Sequence, residues 1–370
     1  MHLQIWSIRG RAFHFGREEG LGMEGSALTW PADSLFAAVV ARLAAHEGPR
    51  AVEQGLQPFR AGEPPFLLTS TFPAIWPAGA NATPVLLFPV PLAARRSRTP
   101  LPAGVQGKDL KRVRFVSEGL YRQMLQGATL AHLWPQARRA AHQTLLFAAA
   151  DWARLPTPWQ REAEALTLWK QRKRPRVTVN RWSSRSNLFH VGAVHFRAEP
   201  ERAAVGLWFG VQWLRPNDSF WASRLPSLLA DLGLAGLGAE RNVGYGQAKL
   251  RLQTTLILPD PAPQGYWTTL SRYWPRRDEV PALHDPAAAY ELVRVGGWVD
   301  GAGQRRRGVY MLAEGAVLAP LAQPGPYGRV ADVRPLYRPR SDAPLNDPLG
   351  HPVYRYGYAL AVGYAGGGAP

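Results

Sequence analysis

Two stretches carry side chains whose types and spacing suit the binding of an anion. The first is Gly233 to Leu250, GLAGLGAERNVGYGQAKL, with glycines at 233, 236, 238, 244 and 246 around one charged pair, Glu240–Arg241. Glycine lacks Cβ, so its backbone takes φ > 0 and closes against another backbone. Amides presented in this way face phosphates, and an arginine beside them adds charge and a planar fork. A glycine-rich loop that simply leads into the strand QAKLRLQTTLIL fits the same residues without any ligand. The second stretch is KQRKRPRVTVNRWSSRSNLFHVGAVHF, which has seven Arg/Lys between Lys170 and Arg185 and no acid. It mixes Arg, Ser, Asn, Trp and Phe, the types that hold phosphate, 2′-hydroxyl and bases. A solvated basic face is the plainer reading of the same run.

The rest of the composition favours a polyanionic partner. The 370-residue chain carries a formal net charge of +17, mostly from arginine, which suits bidentate phosphate contacts and stacking on bases. A basic proteome or a hot habitat would give the same excess. Trp 14, Tyr 12 and Phe 13 make the chain rich in aromatics, some free to stack on bases and most required for the core. There is no cysteine, hence no disulfide, thiolate nucleophile or cysteine-held metal. The opening MHLQIWSIRGRAFHFG has no signal-peptide core, and no apolar run reaches a membrane span of roughly 18 residues. These features predict a soluble, cytoplasmic protein.

Catalysis has weaker support. His14, in AFHFG, is a candidate general base, and His190 and His195 flank the second basic run. A base of this kind needs a free imidazole titrating near the operating pH. No carboxylate cluster, HExxH or phosphate-binding GxxxxGK[ST] occurs. No helix-turn-helix or zinc module supports a free-standing DNA-binding protein.

The elements that must position these residues read as α+β. HLQIWSI at 2–8 alternates as a strand, and PADSLFAAVVARLAAHEG forms a helix capped by Asp33 or Ser34 and ended by Gly48-Pro49. Residues 56–92 read as short strands broken by prolines. Residues 93–116 hold seven Arg/Lys and one acid, Asp109, and read as a solvated loop or a mobile basic hairpin. Residues 117–170 read as mainly helical. Strand 203–214 and helix 219–234, capped at Ser219 or just before it, run into the glycine loop. Strand, helix, loop and strand suggest a second ferredoxin-like half. In the tail, TTLSRYW reads as a short helix and GHPVYRYGYALAVGY (350–364) as a tyrosine-rich strand, with a disordered end.

Four stretches in this order resemble the RAMP superfamily of CRISPR proteins: PADSLFAAVVARL (31–43), KDLKRVRFVSEGLYRQML (108–125), PRVTVNRWSSRSNLFHVGAVHF (175–196) and GLGAERNVGYGQ (236–247). Within it the chain is most similar to the fourth subunit of type III-A (Csm) effector complexes, in the Cas five group. Inserts near 56–105 and 126–165 are longer than that pattern. The resemblance implies two tandem ferredoxin-like (RRM-like) halves, at 1–175 and 176–370. The first would hold a thumb-like basic hairpin near 93–125 and a helical insertion, the second the glycine-rich loop at 233–249. It implies a non-catalytic subunit, without cofactor or metal, that holds the 5′ repeat-derived tag of a CRISPR RNA and meets target RNA only indirectly. Its partners would be the large Palm-domain subunit and a backbone RAMP subunit, with no membrane involved. Gly236, Gly238, Arg241, Asn242, Gly244 and Gly246 would cradle the tag backbone. Asn180, Arg181, Ser183, Ser184, Arg185 and Asn187 would contact its phosphates and bases. Lys108, Lys111, Arg112 and Arg114 would belong to the thumb. Some RAMP proteins are metal-independent endoribonucleases that process the precursor RNA, and this is the alternative, with His14 as base.

Overall fold

The computed structural model describes residues 1–16, 24–79, 82–96, 100–183, 185–299, 303–336 and 349–366. Strand β1 (His2–Gly10) and the short β2 (Ala12–Phe13) open the chain, followed by helix α1 (Ala32–Arg60). Strands β3 (Phe66–Leu68), β4 (Phe72–Pro77) and β5 (Val85–Pro89) come next. Past a long intervening stretch stand the short β11 (Ala198–Glu199), β12 (Ala203–Trp213), α7 (Trp221–Ala235) and β13 (Ala248–Ile257).

The main sheet runs β13-β1-β12-β4-β5 and onward, and β1 pairs antiparallel with both β12 and β13. Taken with α1 and α7, the order β13-β1-β12-β4 is one βαββαβ ferredoxin-like unit. The strand–helix–loop–strand expected to belong to a second half therefore completes the first. A boundary at 175/176 does not divide the sheet, because β1 lies between two strands from beyond it.

The intervening residues extend that sheet and carry a hairpin. Helix α2 (Gly107–Arg112), β6 (Phe115–Ser117), α3 (Glu118–Leu125), α4 (Leu130–Leu133), β7 (Arg138–Ala140), β8 (Leu145–Phe147), α5 (Ala149–Ala153) and α6 (Thr157–Arg161) follow one another. Strands β6, β8 and β7 continue the sheet past β5. The 117–170 segment is thus a mixture of short helices and strands. Ala141, His142 and Gln143 take left-handed φ values of 50°, 52° and 64° in the β7–β8 turn, which breaks the helix that an alanine-rich run favours.

The long hairpin is β9 (Trp169–Val179) with β10 (Ser186–Phe196), paired over eleven registered positions and joined to β2. No hairpin forms among the described residues of 93–116. There Arg95 donates to the carbonyls of Leu110 and Val113, and Arg96 to those of Pro286 and Ala288, so these two arginines serve packing.

Helix α1 is capped differently from its sequence expectation. Pro31 is the N-cap residue, and Ser70 Oγ, from the β3–β4 connection, accepts from the Ala32 amide at 3.0 Å. Gly48, at φ 79° and ψ -177°, is not helical, so the first helical segment stops at Gly48-Pro49 as expected and a second continues to Arg60 across the kink. Asp33 is buried and pairs with the equally buried Arg355. Burial holds the Asp33 carboxyl above the ordinary carboxylate range, against the opposing pull of Arg355. At the start of α7, Asp218 accepts from the amides of Phe220 and Trp221, the cap expected at or just before Ser219.

The C-terminal strands form three small sheets. They are β14 (Tyr266–Thr269) between β17 (Val317–Leu318) and β20 (Ala361–Tyr364), β15 (Leu292–Val295) with β16 (Val309–Leu312), and β18 (Val330–Asp332) with β19 (Tyr354–Tyr356). Residues 266–269, which include the start of the helix expected from sequence, are a strand because they lie between β17 and β20. Tyr356 and Tyr358 join the main core, accepting from Leu68 N–H and donating to the Phe59 carbonyl. Among the described residues no helix is long and apolar enough to cross a membrane.

Candidate nucleic-acid interface

The glycine loop is shaped by the protein around it. Helix α7 ends where Gly236 turns to φ 91°. At Gly238 (φ 83°) a Cβ would lie 2.4 Å from the His14 carbonyl oxygen, and at Gly246 (φ 83°) it would lie 2.2 Å from that of Leu237. No real Cβ tolerates such contacts, so both positions need glycine for packing alone. The amides of Leu237, Ala239 and Gly246 donate to Gly246, His14 and Ala12 carbonyls, so these three N–H groups face inward. The expected cradle of outward amides does not include them. Gly244 differs: φ is 88° and open space surrounds it, in the exposed run Arg241–Gly244.

Loop and hairpin meet. His14 lies buried between them, with Nδ1 hydrogen-bonded to the Gly192 carbonyl of β10. Tyr245 of the loop packs with Ala12, Val191 and Ala193. Glu240 accepts from Arg176 at 3.4 Å. The His14 ring thus has a structural role.

The strand register sorts the hairpin's basic residues by face. Lys170, Arg172, Arg174 and Arg176 alternate along β9 opposite His195, Ala193, Val191 and Phe189. Facing residues of an antiparallel pair share a side of the sheet, so these four cations form one stripe. The stripe lies on the side where Val191 and Ala193 receive Tyr245. A row of cations beside an exposed loop is suited to hold an anionic strand by its phosphates. The stripe is absent from the sequence-derived site, although the K-x-R-x-R-x-R alternation at period two is the signal for it.

His195 faces the same cations. Its imidazole is held below the ordinary histidine range by burial first, then by Arg172, Arg174 and Arg11. Its Nε2 is buried and has no hydrogen-bond partner among the described residues.

The turn residues Asn180, Arg181, Ser183 and Arg185, and Asn187 beside them, are all exposed. Ser184 lies outside the described residues. Asn180 Oδ1 accepts from the amides of Trp182 and Ser183, which sets the turn. The turn projects about 13 Å beyond Arg176, four residues at strand rise. Trp182 stands in it 99% exposed. In sequence this tryptophan stands out only as part of the mixed composition of the run.

Lys108, Lys111 and Arg112 stand elsewhere, on α2. The following strand β6 is five positions from β13 in the sheet, about 24 Å at normal strand spacing. Of this group only Arg114 lies by the hairpin, next to Phe115, whose ring meets Trp169. Among the described residues no group of three or more His, Asp or Glu is placed to hold a metal ion.

Comparisons with known proteins agree with this architecture. Residues 263–364 match the family model described as the CRISPR Csm4 C-terminal domain. No curated protein sequence matches the chain. A chain in the crystal structure of the Csm3-Csm4 subcomplex in the type III-A CRISPR-Cas interference complex is similar in fold, with TM-score 0.63 at 15% identity. The alignment covers 98% of this chain and 99% of that one. A chain in the crystal structure of the Csm1-Csm4 cassette in complex with cA4 aligns with TM-score 0.51, 15% identity and 98% of each chain. Residues 263–364 thus match a Csm4 C-terminal domain, and the chain shares along its length the fold of these solved structures.

Proposed function

We propose that this chain is a non-catalytic RNA-binding subunit of a type III-A CRISPR ribonucleoprotein, holding the 5′ repeat-derived tag of the guide RNA. The observation that carries the reading is the stripe Lys170–Arg172–Arg174–Arg176 on the side of the hairpin that receives the glycine loop through Tyr245. A strand in the angle between them meets arginines along one wall and Arg241, Asn242 and Gly244 along the other. Arg181, Ser183, Ser184, Arg185, Asn180 and Asn187 are assigned to the strand beyond that angle, with Trp182 stacking on a base. This hairpin takes the thumb role expected of 93–125. Lys108, Lys111 and Arg112 are left with a peripheral electrostatic role.

The similar chains come from assemblies named for Csm3 with Csm4 and Csm1 with Csm4. By analogy, this chain bridges the large Palm-domain subunit to a backbone subunit in the cytoplasm, and meets target RNA through the guide. The test is purification of the tagged chain with its native neighbours, followed by sequencing of the bound RNA. Guide RNAs sharing one 5′ tag, together with co-purifying subunits, are the expected result. RNA bound by the chain alone and cut at one repeat position would contradict it.

One observation favours the alternative of a metal-independent endoribonuclease. His195 has an unpartnered Nε2 and a lowered pKa beside three arginines, the surroundings of a neutral base facing a phosphate. His195→Ala then abolishes cleavage if any cleavage exists, whereas His14→Ala unsettles the fold.

A further inference from the structure

The C-terminal hairpin β15–β16 presents a second set of cations and rings that the tag reading does not use. Four arginines and one acid, Asp300, lie between residues 292 and 310. Arg294 and Tyr310 face each other across the strand pair, and Tyr310 is 63% exposed. The Arg294 guanidinium extends over Gly308, where an added Cβ would lie 3.4 Å from Nε. Beyond the strands, Trp298 pairs with Arg305 across an antiparallel bridge, and the Arg305 guanidinium stacks 4.9 Å from the indole centroid. Trp298 is half exposed, and exposed Leu292 extends the apolar strip at the other end. Arg307 donates to the Asp332 carbonyl, which holds it at the margin.

The platform is rigid beneath. Val295, Val309, Met311 and Val333 form its own small core. Arg355, bound to Asp33 at the start of α1, donates to the Gly296 carbonyl at 2.7 Å and so anchors the hairpin to the ferredoxin-like unit. Such anchoring keeps Trp298 and Tyr310 exposed instead of folding inward.

We infer that the face carrying Leu292, Arg294, Trp298, Arg305 and Tyr310 is a second contact surface for single-stranded RNA, outside the tag site. Two exposed rings, Trp298 with the Arg305 guanidinium stacked on it and Tyr310 opposite Arg294 in the strand pair, offer bases a stacking surface and phosphates a cation. The arginine excess opposes a second copy of this basic chain as occupant. The strand Leu292–Val295 and the Trp298–Arg305 bridge beyond it give room for a few nucleotides. The inference goes beyond the tag reading and does not depend on it.

The test uses the full chain and a single-stranded uridine RNA of about 20 nucleotides. Short-wave ultraviolet crosslinking with peptide mapping is expected to give adducts at Trp298 or Tyr310. The double variant Trp298→Ala/Tyr310→Ala is expected to weaken binding of that RNA about tenfold or more while leaving an RNA duplex of equal length unaffected. Adducts confined to 170–187, with unchanged affinity in the double variant, overturn the inference. A double variant that binds RNA fully but no longer co-purifies with co-expressed neighbouring subunits also overturns it and makes the face a protein interface. Adducts at 298 or 310 without any on the β9–β10 hairpin or glycine loop support the inference while contradicting the tag reading.

Discussion

The glycine loop and the β9–β10 hairpin touch at Tyr245, yet their residues are constrained in opposite ways. In the loop, Gly238 and Gly246 are dictated by backbone atoms of His14 and Leu237 about 2 Å from where a Cβ would sit. In the hairpin, Lys170 to Arg174 and the turn are open to solvent, so packing does not require their basic side chains. Three cations of the stripe, Lys170, Arg172 and Arg174, exposed on one side of a strand pair, are a stronger pointer to a ligand than a glycine pattern that packing explains.

The comparison gives an ordered set of outcomes. Gly246→Ala or Gly238→Ala should lose about 3 kcal/mol or more of stability, read from the urea midpoint, through left-handed strain and the backbone clash. Gly244→Ala, with space around it, should lose only about 1 kcal/mol. Equal losses at all three positions would break the contrast. On the hairpin, Arg172→Gln/Arg174→Gln/Arg176→Gln should weaken tagged-RNA binding by about 10- to 100-fold or more and flatten its salt dependence, with the urea midpoint nearly unchanged. Trp182→Ala should weaken the same binding by about 1–3 kcal/mol if the ring stacks on a base. Arg185→Ala and Arg241→Ala are each expected in the same range if they pair with a phosphate.

The smallest effect is one of pH. Free His195 is pushed toward the neutral form by burial and its three arginines, and a bound phosphate screens those arginines and favours the protonated ring. Binding therefore takes up a proton, and affinity should rise a few-fold from about pH 8 to about pH 6. His195→Gln should flatten that profile.

Local periodicity in the sequence locates the clearest strands and helices, such as 2–8, the first helix and α7. Composition locates the glycine loop and the second basic run. Neither tells how these pieces combine. Pairing of β1 with β12 and β13 joins residues 199 to 255 apart, and no local pattern carries that information. Arg95 and Arg96 fall in sequence within a basic loop or hairpin but donate to carbonyls brought from elsewhere in the chain. Asp33 looks like a cap because its partner, Arg355, lies 322 residues away. The arginine stripe is legible in principle, since strand alternation alone puts positions 170, 172, 174 and 176 on one face.

The most direct measurement is a salt titration of tagged guide RNA binding to the purified chain and to its Arg172→Gln/Arg174→Gln/Arg176→Gln variant. Affinity of the unaltered chain should fall steeply with salt, and the variant's slope should be shallower by about 2–3, near one for each phosphate that an arginine no longer neutralises. Parallel slopes of the two proteins, at equal affinity, would contradict the assignment of the stripe as the RNA-binding wall.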